Sequence, residues 1–372
     1  MNIAIETNLL KDGINKILTV IDKKASRPIL SNCLVNAYDG ILELIATDLE
    51  VTAKVILRAE TSSPGKFCIN TKNLSDILRE LPDDLLNIEI DKEKNILNLN
   101  CKKIKYSLLI TNSDDYPHLN FDSSEKPINI NSNELNKIIQ KTSHAISLDE
   151  TRANLNGIYF QQLDNKLRAV AIDGHRLALL DLVNFQSGNN SSLNDGVIIP
   201  KKGIAELKKL CDSYPDKNIF LNLDESYLYA AVNEEYFLSV RLIAREYPKY
   251  QTVIPSKTSF NINLEKSSFF NAVKRIRLLS NEKTNGIKVS IQTNQITLSA
   301  DHPSLGHATE IIPVDYSGTE MEIGFNAKYM LDILNVLEVD EVIFEFNNEL
   351  SPVVVRSDEE KDFLGIIMPL KI

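Results

Sequence analysis

Apolar residues alternate with polar ones in short runs, change to three- and four-residue spacing, and then alternate again. Over the first sixty positions the alternating runs 2–6, 30–38, 41–47 and 50–58 predict strands, with a helix over about 8–24 after the first. The next sixty repeat the order: a strand over 66–70, a helix over 71–81, and runs near 85–91, 95–101 and 104–110. Both halves read βαβββ. Turn residues separate the strands, as at Asp39-Gly40, Asp91-Lys92-Glu93 and Asn348-Glu349, and 186-QSGNNSSLNDG-196 reads as a polar loop.

The pattern also repeats at a longer period. The stretches 42-LELIATDLEVTAKV-55, 167-LRAVAIDGHRLALL-180 and 296-ITLSADHPSLGHAT-309 each place two strand-like runs around an Ala-x-Asp or Ala-Asp turn. A second trio, 65-GKFCINTKNLSDIL-78, 196-GVIIPKKGIAEL-207 and 322-EIGFNAKYMLDIL-334, leads a strand into an amphipathic helix each time. Tyr116-Pro117, Tyr247-Pro248 and Met368-Pro369 mark the repeat ends. One module of about 125 to 130 residues is thus used three times, at 1–122, 123–253 and 254–372. The predicted class is α+β, with six βαβββ units.

Composition adds limits. The chain has 372 residues, 43% hydrophobic and 25% charged, too long for one ordinary core and without an apolar run near membrane-spanning length. No basic and then apolar leader is visible at the start. Cys33, Cys68, Cys101 and Cys211 are scattered, which predicts reduced thiols in a cytoplasm rather than a zinc site or disulfide framework.

Net charge, −10, argues at first against a nucleic-acid partner. Its distribution reverses that inference. The helical windows 8–24, 71–81, 132–144, 201–211, 264–278 and 326–336 hold 17 basic and 8 acidic residues, so they carry +9 while the remainder carries −19. Glutamate forms helices as well as lysine does, so helix propensity alone does not explain the bias. A basic helical layer without stacking aromatics suits sequence-indifferent contacts to duplex phosphates.

One stretch, 171-AIDGHRL-177, looks catalytic because an acid and a histidine stand together, as a nuclease or hydrolase might use them. Asp173-Gly174 nevertheless reads most simply as a hairpin turn, with Asp48-Leu49 and Asp301-His302 in the corresponding places. No phosphate loop, H-E-x-x-H or G-x-S-x-G occurs, and no metal, cofactor or catalytic residue is expected. A sequence-specific DNA regulator is the other rival, and no reader motif supports it.

The stretches 154-NLNGIYF-160, 173-DGHRLA-178, 198-IIPKKGIAEL-207, 278-LLSNEK-283, 329-YMLDILNVL-337 and 368-MPLKI-372, in this order, resemble the β subunit of bacterial DNA polymerase III, the sliding clamp. The resemblance covers essentially the whole chain. It implies a head-to-tail homodimer closed into a ring, with helices lining the hole and antiparallel sheets outside. Such a ring encircles duplex DNA without reading it, tethers the polymerase III catalytic subunit, is loaded by an ATP-dependent clamp loader, and has no catalytic activity or cofactor.

The resemblance also implies a partner-peptide cleft between the second and third modules, for polymerases and repair proteins that carry a short binding peptide. Its positions are Leu155, Ile172, Gly174, His175, Arg176, Leu177, Pro248, Val253, Tyr329, Leu350, Pro352, Met368, Pro369, Leu370, Lys371 and Ile372. Leu155, Leu177, Val253 and Leu370 would form apolar wall, Met368 an adaptable filler, and His175 and Arg176 a polar rim. Ile172, Pro352, Leu370 and Lys371 depart from the family's commoner residues and make the cleft somewhat more apolar. Tyr106 and Leu108 would meet Leu278 and Leu279 of the other copy in the dimer. Lys23, Lys24, Arg27, Arg79, Arg152, Lys201 and Lys202 are the expected DNA contacts.

Overall fold

The computed structural model describes residues 1–21, 27–91, 93–117, 121, 127–185 and 191–371. The βαβββ reading holds in all three repeats. The first half-module runs through strand Asn2–Glu6, helix Thr7–Leu18, and strands Asn32–Tyr38, Ile41–Thr47 and Val51–Arg58. Strand interiors follow the polar–apolar alternation: in Ile41–Thr47, Leu42 and Leu44 are fully buried and their neighbours partly exposed. Helix Thr7–Leu18 buries Leu10, Gly13, Ile14 and Ile17, the stripe its spacing predicts.

That helix ends at Leu18, well short of the expected 24. Its last carbonyls are taken from outside: the Lys209 ammonium donates to Asn15 O at 2.5 Å and Lys16 O at 3.1 Å, and Tyr236 Oη donates to Lys16 O at 3.0 Å. Lys202 donates to Val20 O at 2.7 Å. These tertiary caps satisfy acceptors that another helical turn would otherwise have used.

The third repeat differs from expectation at its turn. Strand Gln295–His302 continues through Asp301 and His302, and the chain reverses between His302 and Gly306, which has φ +110°. Asp301-His302 is therefore strand, unlike Asp48-Leu49 and Asp173-Gly174. Proline at 303 and a glycine at 306 supply the turn chemistry three residues later.

Two compact units divide the residues. The first gathers Met1–Asn136 and Lys202–Leu242, with a five-stranded and an eight-stranded sheet. The second contains Leu193–Lys201, the described residues from Ile243 onward and the stretch beginning at Lys137, with an eight-stranded and a four-stranded sheet. The cut passes through the middle repeat because strand pairing joins neighbouring repeats. In the first unit Val51–Arg58 pairs antiparallel with Tyr236–Arg241; in the second Arg176–Val183 pairs with Phe363–Ile367. Among the described residues no helix is long and apolar enough to cross a membrane. All four cysteines are buried thiols; burial pushes Cys33 up to about 11 and Cys68 and Cys211 up to about 12, so these three are poor nucleophiles.

Candidate functional site

The hairpin Lys166–Ile172 to Arg176–Val183, in the second unit, organises the candidate cleft. Its turn is locally encoded. Asp173 Oδ1 accepts the backbone N–H groups of His175 (2.8 Å) and Arg176 (3.0 Å), and Gly174 has φ +94°. A Cβ on Gly174 would come within 2.9 Å of the Arg152 guanidinium, which donates to Asp173 O at 2.9 Å. The Asp173 carboxylate is thus used by the turn and does not orient the His175 ring, so no acid–base dyad forms here.

Below the turn, Leu155, Ile172 and Leu177 are buried in one cluster with Val170, Leu179, Ile198, Tyr247, Tyr250 and Ile366. Val253 packs against it, as does Tyr159, whose ring stacks on Tyr247 at 4.7 Å. Leu155 and Leu177 are 2% and 1% exposed, so they form a floor rather than an accessible wall. Tyr159, Tyr247 and Tyr250 are not among the expected cleft positions; of the Tyr-Pro pair at 247–248 only Pro248 is, and Tyr247 reads only as a repeat end.

Arg176 is not a rim residue. It is 8% exposed, donates to Asp173 Oδ2 at 3.0 Å and to Asp332 Oδ2 at 2.5 Å, and lies 4.3 Å from the centre of the Tyr329 ring. Its fork therefore links the turn to helix Ala327–Val336, whose start is fixed by Asn326 Oδ1 accepting from Lys328 N and Tyr329 N. His175 does stay exposed, with its ring 6.1 Å from that of Tyr329. The spacing of residues 173 and 332 gave no signal of this link.

The tail also behaves differently from expectation. Met368 N donates to His175 O at 2.8 Å and continues the strand pairing, but Leu370 N donates to Gly324 O at 2.8 Å, on the edge strand Met321–Asn326. Leu370 and Lys371 consequently line a separate cavity of about 280 Å³ with Gly286, Lys288 and Asp301. Leu370 is not part of the Leu155–Leu177 cluster. Pro248, Pro352, Met368 and Pro369 are half-buried, Leu350 is exposed on a turn, and Ile372 lies outside the described residues.

Of the expected DNA contacts, Lys23 and Lys24 lie outside the described residues. Arg27, Arg79 and Lys201 are exposed, and Arg152 is exposed but holds the 173–175 turn. Lys202 donates to Asp48 Oδ2 at 2.5 Å as well as to Val20 O, so its charge is matched internally. Lys209 is similarly occupied, and burial lowers its pKa. Part of the basic helical layer therefore caps a helix C-terminus. Lys201→Ala is expected to reduce the slope of log affinity for duplex DNA against log salt by about one, whereas Lys202→Ala should lower stability and leave the slope unchanged. Equal slopes for the two variants in a salt titration would contradict this division.

Each unit also presents a free sheet edge. Strand Ile104–Leu109 pairs on one side only and exposes Tyr106 (36%) and Leu109 (81%), with Leu108 half-buried. Strand Gly306–Pro313 is the other edge; its unit also carries the turn Arg277–Leu279, where Leu278 is 77% exposed and Leu279 half-buried.

Three α+β modules of paired βαβββ halves, joined by antiparallel strands at the ends of those halves, define the DNA-clamp class of fold. The descriptions "DNA polymerase III beta subunit" for the N-terminal, central and C-terminal domains match residues 1–120, 129–249 and 251–371. The beta sliding clamp of Vibrio cholerae is 30% identical over 374 residues, covering 100% of both chains. A sliding clamp from Bartonella birtlesii bound to griselimycin superposes with a TM-score of 0.95 at 28% identity, covering 100% of both chains. The Caulobacter crescentus beta sliding clamp, with PEG bound to a putative beta-motif tethering region, gives 0.94 at 31% identity over 100% of this chain and 99% of that one. The chain belongs to the DNA polymerase III beta subunit family, the sliding clamps, which are non-catalytic processivity subunits of the polymerase.

Proposed function

We propose that two copies of this chain close head to tail into a ring around duplex DNA and tether polymerase through the cleft beside residues 172–177. The observation that carries this reading is a pairing rule with one pair left over. The closing strand of the first half of repeat one, Val51–Arg58, pairs with that of the second half of repeat two, Tyr236–Arg241. Repeat two's first-half strand, Arg176–Val183, pairs with repeat three's second-half strand, Phe363–Ile367. Among the described residues, the closing strands left without a cross-repeat partner are Gly306–Pro313, from the first half of repeat three, and Ile104–Leu109, from the second half of repeat one. Between two copies the same rule joins them, and it removes both exposed edges.

Charge supports that junction through Lys103 and Lys105 at one edge and Asp315 beside the other, whereas Lys102 and Glu310 are paired within the chain, with Asp84 and Arg275. Tyr106 and Leu108 of one copy meet Leu278 and Leu279 of the next. Arg27, Arg79, Arg152 and Lys201 serve as weak, individually dispensable phosphate contacts, together with Lys23 and Lys24. An ATP-dependent clamp loader opens and closes the ring in the cytoplasm. Module boundaries fall near residues 122 and 253.

The cleft takes a short peptide from the polymerase III catalytic subunit, other polymerases, the loader and repair proteins. Griselimycin on the Bartonella birtlesii clamp and PEG in the Caulobacter crescentus tethering region support a ligand-accepting surface on this fold. Leu155, Ile172, Leu177 and Val253 form its apolar base, Gly174, His175, Arg176, Tyr329, Pro248 and Pro352 its surroundings, and Met368 and Pro369 its tail-side boundary. Leu350, Leu370 and Lys371 lie along the outer extension; Ile372 is outside the described residues.

The protein should be loaded onto a nicked circular plasmid with clamp loader and ATP, and the circle then cut once. Retention on the circle with loss from the linear form is the expected result, because the link is topological. Retention on both forms would mean ordinary contacts and would overturn the ring.

A further inference from the structure

His144 lies in the short turn Ser143–Ala145, within electrostatic reach of Arg176 and Asp332. Both of its ring nitrogens are buried, and neither has a hydrogen-bond partner among the described residues. Leaving a buried polar atom unpaired costs about 1–3 kcal/mol, so two on one ring are a feature that calls for a reason. The turn packs against strands Lys166–Ile172 and Arg176–Val183. The charged groups of those strands other than Arg176 are Lys166, Arg168 and Asp181, which are committed to one another. The charges acting on the ring are Arg176 and, from helix Ala327–Val336, Asp332. A neutral imidazole therefore lies near a carboxylate whose present donor is Arg176.

Arg176 has two acceptors, Asp173 and Asp332, whereas the ring has none. Losing Asp332 would leave Arg176 still paired to Asp173, and gaining it would satisfy one nitrogen of His144. We propose that His144 is a positioning residue of the cleft: Asp332 holds Arg176 when the cleft is empty and passes to His144 when a ligand draws the Arg176–Tyr329 pair toward itself. The idea rests on the cleft reading above. Tyr329 is the natural trigger, because its half-buried ring carries the Arg176 guanidinium on its face and lies beside the exposed His175. Ligand contact is thereby coupled to the helix that carries Asp332.

In the empty state, burial first and Arg176 second hold the His144 ring down at about 4. With Asp332 as its acceptor and Arg176 drawn off, the same ring must titrate higher. The test uses the full-length protein labelled with ¹⁵N-histidine, griselimycin as the probe, and His144→Phe to assign the signal. Griselimycin should shift the His144 ring resonances and raise their titration midpoint, and Asp332→Asn should abolish that rise. His144→Phe should fold at least as stably as the parent, since it removes both unpaired nitrogens, yet bind griselimycin about tenfold more weakly. His144→Gln, which keeps a donor, should recover part of the loss. If griselimycin binds while the ring signals stay fixed and His144→Phe binds equally well, the positioning role is wrong. If griselimycin does not bind the parent protein, the cleft reading fails, and this proposal with it.

Discussion

Replacing Leu278 and Leu279 together with alanine is expected to leave the protein monomeric at micromolar concentration, where the proposed head-to-tail pairing makes the parent a dimer. Leu278 is 77% exposed in the single chain, so it contributes nothing to that chain's core and is available to a partner. Burying a leucine side chain is worth roughly 1.5–3 kcal/mol. Counting Leu278 in full and the already half-buried Leu279 at about half, two junctions give roughly 4.5–9 kcal/mol per ring, or some three to seven decades in the dissociation constant. Leu279→Ala alone should remove a smaller share in the same direction. The thermal midpoint of the isolated chain should barely change, because the exposed edge and turn are not what hold it together. Sedimentation equilibrium reads the outcome directly. An unchanged dimer mass for the double variant would remove Leu278 and Leu279 from the junction, and a monomeric parent protein would dispose of the dimer itself.

The second large effect concerns Arg176. Arg176→Ala is expected to destabilise the protein by about 3–5 kcal/mol, the usual range when one partner of a buried ion pair is removed. The Asp173 side chain is 12% exposed and would lose the guanidinium on Oδ2, keeping the two backbone N–H donors on Oδ1, while Asp332, 31% exposed, would lose less because water reaches it. The packing of the guanidinium over Tyr329 goes as well. Arg176→Lys should recover only part of the loss, since an ammonium cannot hold two carboxylates in the geometry of the planar fork. Urea unfolding of the three proteins decides the matter, and a loss below about 1 kcal/mol for the alanine variant would place Arg176 back on the rim.

These two arginine and leucine sites were legible to different degrees. Leu278 and Leu279 are singled out by the family resemblance at 278-LLSNEK-283, not by the periodicity of their own segment. Arg176 was visible as a residue, and its role was misjudged. An arginine next to a turn is ordinarily solvated, and what changes it is a helix arriving from more than 150 positions later with Asp332 on the right face. Lys202 was misread for the same reason: Asp48 and the carbonyl of Val20 reach it only once the first and second repeats pack.

Local chemistry also had limits. Asp173-Gly174 and Asp48-Leu49 are turns because the aspartate side chain can accept the following N–H groups, and Asp48 does so from Glu50 and Val51 just as Asp173 does from His175 and Arg176. The apparent counterpart at Asp301 stays in the strand, where its carboxylate bonds the His307 ring at 2.7 Å instead. Similar residues therefore gave different backbones, according to where the hairpin's turn-forming residues fall: Pro303 and Gly306 move the reversal past Asp301.

By itself, the sequence determined the periodic order of strands and helices, the threefold repeat, the α+β class, and the bias of basic residues toward the helices. Those properties follow from side-chain alternation and spacing within a few residues, which survive in any context. Only the tertiary structure decided which closing strands pair and which remain as edges, which cations are free, where Leu370 goes, and that the His144 ring is buried without a hydrogen-bond partner among the described residues. Each of these depends on groups far apart in the chain competing for one partner, and burial, which sets the winner, exists only after the repeats have packed.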